Sequence, residues 1–296
     1  MKDPAWNLDA LQQDILEWTQ NPAFLEMFWT DPVATVRRMV STKISARDYL
    51  PPLNDFGCWE GMNGALAVLN GDQAGWGRLA KSVNCWYWYL RILIHRSGSG
   101  PFRLNKLGVA YCIEVALCLA HLMANGWTSP ARWLGNRLTC GFSVRRTPNG
   151  WPGTPFEPFM ACLYQKWQGI PEDEWVPTGV DLEVYEPVLA SLEADDKSFN
   201  AALAGVCNYH VERIGDPEEL GYPEFHHPVY NVFPAEILAI QRIRAWLGRS
   251  IPPFQHRILN NPLAHPPANM PSGEDELWIG AVAKAKSLWP DFCKDV

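Results

Sequence analysis

The stretch CWYWYLRILI (85–94) constrains this chain more than any other. Wound into a helix, it is apolar on nearly every side. Such a helix has to be covered all round by other elements. The helix that contains it, read from Gln73 to Arg96, therefore belongs at the centre of a helical body. Arg91 interrupts the run, which also falls well short of the ~20 residues needed to cross a bilayer. No membrane span is expected.

The rest of the chain supplies the covering helices. LDALQQDILEWT (8–19) puts Leu8, Leu11, Ile15, Leu16 and Thr19 on one stripe, with Asn7 placed to cap it. Asn21-Pro22 restarts the chain, and Asp31-Pro32 reads as a cap followed by proline at the first helical position. Asp55 precedes FGCWEGMNGALAVL, whose three glycines suit close helix packing. SGSGP (97–101) is a turn. A helix from Leu104 to Asn125 ends at Gly126. Ser129-Pro130 opens another, and 155–169 ends at Gly169. Ser198–Ile214, Pro234–Leu247 and a final helix through EDELWIGAVAKAKSLW complete the set. Between them, IPEDEWVPTGVDLEVYEPVL and GDPEELGYPEFHHP read as loops.

Period-2 alternation of β-branched residues is almost absent. The fold class expected is all-α: stacked antiparallel helix hairpins, roughly ten helices. No repeat of fixed period supports a regular solenoid. RRTPNGWPGTP (145–155) is the longest Gly/Pro-rich stretch and suggests two helical halves, 1–147 and 148–296, or one continuous domain.

Eight cysteines form no CxxC pair and most sit in apolar runs. They read as reduced core thiols. The N-terminus has acids where a secretory signal would be basic and apolar, so a cytoplasmic location is expected.

Charge is unevenly spread. Residues 30–150 carry 14 Lys+Arg against 6 Asp+Glu, whereas 170–236 carry 15 Asp+Glu against 2 Lys+Arg. The acidic segment would repel nucleic acid and attract a basic protein surface. Within it, Glu172, Asp173 and Glu174 flank Trp175. Asp216, Glu218 and Glu219 are followed by Tyr222 and Phe225, then by His226 and His227. Acids beside aromatics suit a docking surface, because aromatics anchor and charges steer.

Catalytic alternatives are less well provided for. His210, His226, His227, His256 and His265, with Glu212 and Glu236, offer metal-ligand atoms, but no HExxH or paired Cys/His spacing organises them. No metal or cofactor is expected. Glu60 and Glu114 are lone acids in apolar helices and would be the carboxylates of a glycan-active (α/α) enzyme. No GxSxG, GxGxxG or GK[ST] motif is present. In Pro234–Leu247, the core stripe is Ile237, Ile240, Ile243 or Arg244, and Leu247. Glu236 falls in the first turn, where the helix dipole favours an acid.

Residues 150–260 resemble a known family. The pattern is carried by Tyr209, His210, Tyr222, Phe225, Tyr230, Phe233, Glu236, Ala239, Leu247, Gly248 and Pro252. The preceding helix contributes Phe156, Phe159, Tyr164 and Trp167. These are similar to helical immunity proteins of bacterial type VI secretion and polymorphic-toxin systems, which neutralise nuclease effectors. The resemblance implies a non-catalytic inhibitor that holds a cognate toxin in a tight cytoplasmic complex. A helical hydrolase, glycan-active or His/Glu metal-dependent, is the alternative.

Overall fold

The computed structural model describes residues 7–41, 51–96, 110–144, 154–177, 179–214, 225 and 228–294. It is all-α, with eleven helices of six residues or longer among the described residues. They are α1 (Leu8–Gln20), α2 (Asp31–Ser41), α3 (Pro51–Leu69), α4 (Gly75–Arg96), α5 (Ala110–Ala124), α6 (Thr128–Val144), α7 (Phe156–Trp167), α8 (Glu186–Ser191), α9 (Asp196–Arg213), α10 (Ala235–Trp246) and α11 (Glu276–Leu288). The β-pairing described is one isolated bridge, Ile214 with Phe225.

Contacts divide the chain elsewhere than at the expected halves, 1–147 and 148–296. One unit is Asn7–Gly98 with His265–Val296; the other contains Ser99–Ala264. The stretch expected as the hinge lies mostly outside the described residues. The reason sequence punctuation misses this division is physical: it marks where helices stop, not which helices later pack together.

The first of these units, called the split unit below, is built on the α3/α4 hairpin. A Cβ on Gly57 would sit 3.0 Å from the Cβ of Cys85, and one on Gly64 would sit 2.8 Å from the Leu79 nitrogen. Positions that advance along α3 therefore meet positions that retreat along α4, so the pair is antiparallel. The glycines do what their spacing suggested: they let two backbones touch. Arg91 is buried within α4. Its Nη1 donates to the Tyr87 hydroxyl at 2.7 Å, and its guanidinium lies over Trp88 at 5.3 Å. The aromatic neighbours make a charge tolerable inside this apolar helix.

Two helix starts differ from expectation. Asp31 has helical backbone angles (φ −69, ψ −45), because the chain runs into α2 through a π-turn, Glu26–Thr30. That wider turn makes room for Pro32, which lacks an N–H and would crowd the carbonyl four residues back. The next helix begins at Pro51 rather than after Asp55, with prolines in its first turn. Asp55 is thus inside α3, where burial pushes its carboxyl up to about 6.

The second unit, called the continuous unit, centres on α5, which packs on α10, α6 and α7. Gly126 ends α5 at φ +75, the left-handed conformation its place in the sequence suggested. A Cβ on Gly135 would fall 2.3 Å from the Tyr164 ring, so α6 and α7 approach closely there. The Tyr164 hydroxyl reaches back to Asn136 Oδ1 at 2.9 Å. Among the described residues no helix is long and apolar enough to cross a membrane.

Candidate interaction surface

The described residues of the acidic segment between 170 and 214 are largely helical and hydrogen-bonded. Glu172–Glu174 form one 3₁₀ turn after Pro171. Gln165, buried in α7, pins the chain that follows. Its Nε2 donates to the Val176 carbonyl at 2.8 Å, and its Oε1 accepts from the Val176 amide at 3.1 Å. Trp175 turns its indole N–H inward to the Ile170 carbonyl at 2.8 Å and is half-buried. The three acids of the turn remain exposed.

Lys166 gathers acids from two segments. Its Nζ lies 3.3 Å from Glu172 Oε1 and 3.1 Å from Glu193 Oε1. Burial works against the Lys166 charge, but hydrogen bonds to Glu193 and Glu172 outweigh it and hold the ammonium above its ordinary range. The 3₁₀ turn and the chain after α8 therefore share one patch. Asp181, Glu183, Glu186 and Asp195 are exposed in the same stretch of sequence. Asp195 is committed to its own helix. It caps α9 by accepting from the amides of Lys197 and Ser198, both at 3.0 Å. These bonds and the Ser198 hydroxyl hold its carboxyl below the usual range, with the Ser198 amide contributing most.

Beside this patch, α8 and the start of α9 border a shallow, open groove of about 470 Å³. Its walls are small: Pro187 and Ala190 on α8, Ala194 in the turn, and Ser198, Ala201 and Ala202 on α9. The turn is clamped by Arg244, which is 1% exposed. Its Nη1 donates to the Leu192 carbonyl at 2.7 Å, its Nη2 to the Ala194 carbonyl at 3.1 Å, and its Nε to the Ser250 carbonyl at 2.8 Å. The Phe199 ring lies 4.4 Å from the guanidinium carbon. A planar fork with five donors suits this set of end-of-helix carbonyls.

The expected site residues separate. Glu172, Asp173, Glu174 and Trp175 lie together on the turn. Asp216, Glu218, Glu219, Tyr222, His226 and His227 lie outside the described residues. Phe225 is corrected: it is 0% exposed and stacks on the His210 ring at 4.4 Å between centroids. An apolar ring next to a buried imidazole is core, so Phe225 is no surface anchor.

His210 Nδ1 is hydrogen-bonded to Glu236 Oε1, joining α9 to α10. Both side chains are buried, and His210 Nε2 has no hydrogen-bond partner among the described residues. The carboxylate orients the ring as it would in a catalytic or metal-binding pair. Here the two side chains are 1% and 2% exposed, so the pair acts as a buried link. His256 instead faces Asn208 Oδ1 at 3.1 Å, and His265 and Glu212 are exposed. Among the described residues no group of three or more His, Cys, Asp and Glu is placed to hold a metal.

The two acids considered for glycan chemistry have different surroundings. Glu60, in the split unit, lies 3.1 Å from Arg78 Nε and 3.6 Å from Lys81 Nζ. Glu114, in the continuous unit, has a buried Oε2 with no hydrogen-bond partner among the described residues, and burial pushes its carboxyl up to about 7.

Sequence reasoning missed Lys166, Gln165, Glu193 and Arg244 as the residues that organise this surface. One signal was present. NAALAGVCN places small residues at 201, 202 and 205, on a helix face where charges are usual.

Comparison with family models, with curated proteins and with solved structures gives no match for this chain.

Proposed function

We propose that this protein works by binding: the acidic surface of the continuous unit docks a basic protein. The observation that carries this is Lys166, which draws Glu172 and Glu193 from separate segments into one patch. Gln165 and Arg244 hold the flanking backbone, so the surface is ordered before any partner arrives, which lowers the entropic cost of docking. A field of this sign speeds encounter with a basic partner and repels nucleic acid.

The resemblance to helical immunity proteins narrows the partner to a nuclease toxin, whose phosphate-binding face would be basic. On this reading the protein neutralises its toxin in the cytoplasm and catalyses nothing. Co-expression with the products of the neighbouring genes, any toxic one first, tests the idea. Growth should be restored, and the two chains should co-elute as one complex. Failure to form any complex with the products of neighbouring genes would sink it.

One observation favours a helical hydrolase instead. Burial pushes the Glu114 carboxyl up to about 7, the range that suits a general acid. Glycan hydrolysis that disappears in Glu114→Gln, with the fold retained, would favour that reading over binding.

A further inference from the structure

We infer that the α8/α9 groove is the seat of a basic amphipathic helix from the partner, with an apolar side chain in the groove and lysines or arginines against its acidic rim. This rests on the reading that the continuous unit binds a basic protein.

Ser198, Ala201, Ala202 and Gly205 follow at helical spacing along one face of α9. A surface helix ordinarily fills that face with long charged side chains. Here two turns carry none, and a Cβ built on Gly205 would meet nothing within 4 Å. Pro187 and Ala190 are equally short on the opposite wall. Side-chain size at the contact sets how closely two helices approach, so this face admits another backbone at short range. The Arg244 clamp fixes the turn between the walls.

Charge selects the occupant. Glu186 is exposed where α8 begins, and Glu193 and Asp195 are exposed in the turn. Lys197 is the one Lys or Arg between 172 and 212, and Lys166, the other cation of the patch, is taken up by Glu172 and Glu193. An acidic or nucleic-acid ligand would meet repulsion on this rim, and a purely polar cation would leave the apolar walls unused. A helix with one apolar stripe and basic flanks satisfies both.

The test uses the full chain and two synthetic helical peptides of about 18 residues, or five turns. Both carry the same Leu/Ala stripe; one has lysines on its flanks and the other glutamates. Fluorescence anisotropy should show the lysine peptide binding and the glutamate peptide not. Ala201→Trp, an exposed position, fills the groove and should weaken binding about tenfold or more. Reversal of Glu172, Asp173 and Glu174 to lysine should weaken it less.

If Ala201→Trp binds as the wild type does while the charge reversal weakens binding, the groove is wrong and the acidic surface stands. If neither variant changes binding, or both peptides bind equally, both readings fall. If the wild-type chain self-associates and Ala201→Trp abolishes that, the occupant is a second copy and the inference is overturned.

Discussion

Arg244 Nη2 donates to Asp196 Oδ1 at 2.8 Å, although the arginine is buried and the aspartate is half exposed. The pair ties the interior of α10 to the first turn of α9. The same guanidinium holds the carbonyls that leave α8. One side chain therefore sets the geometry of the turn beside the acidic patch.

Arg244→Met should destabilise the chain by about 3–5 kcal/mol in urea unfolding, because it strips several buried carbonyls of their donor. Arg244→Lys should recover little, since a point-like ammonium cannot reach the same set of acceptors. Asp196→Asn should cost about 1 kcal/mol or less, its carboxylate being largely solvated. Equal losses for Asp196→Asn and Arg244→Met would contradict this ordering.

Glu236→Ala leaves His210 buried without its Nδ1 partner. A loss of about 2–4 kcal/mol in unfolding free energy is expected. If the protein protects against a toxin as proposed, protection should fall only as far as folded protein is lost. An unchanged melting temperature with lost protection would show that the pair has a functional role instead of a structural one.

How far the sequence predicts these features varies by element. Helix ends with local chemistry were legible. Asn7 caps α1 by accepting from Asp9 and Ala10 amides, and Gly126 and Gly169 end α5 and α7 at positive φ. Each of these signals lies within a few residues of its effect. Ile237, Ile240 and Ile243 were legible as the α10 core stripe for the same reason. The Lys166 patch, the Arg244 clamp and the His210–Glu236 link were not. Their partners lie 26 to 53 residues apart along the chain for Glu193, the Ser191 carbonyl and Glu236. Only packing brings such groups together, and periodicity carries no record of it. Glu236 was correctly placed in a first turn, yet its partner came from another helix.

Glu114 predicts a pH dependence with a definite sign. Its folded carboxyl is raised to about 7 from an ordinary 4.5 by burial. The folded state therefore holds this proton more tightly than the unfolded chain does. Its contribution is fully present below about 4.5 and is lost as pH rises to about 7. Asp55 acts with the same sign between its ordinary 3.8 and about 6. Glu114→Gln should flatten the fall and stabilise the protein at pH 8 by about 1 kcal/mol after screening. Thermal unfolding from pH 4 to pH 8 measures this. Identical profiles for the two proteins would refute it.

Gly135→Ala should be among the most damaging single-methyl additions. The new methyl would overlap the Tyr164 ring, which is itself fixed by its hydroxyl bond to Asn136. A cost of about 2–3 kcal/mol is expected from forced repacking. Gly205→Ala, with open space around it, should be neutral or slightly stabilising by comparison. Denaturant midpoints of the two variants, measured side by side, decide the matter.

The account turns on whether Glu172, Asp173 and Glu174 make contact with a basic partner. The most direct measurement is calorimetric titration of the wild type and the triple lysine reversal against the partner captured by the proposed co-expression, at low and at high salt. A tight, salt-weakened complex is expected for the wild type, with at least about tenfold weaker binding for the reversed protein and a stability loss of no more than about 1 kcal/mol from the exposed Lys166–Glu172 pair. Equal affinities at both salt concentrations, with both proteins folded, would contradict it.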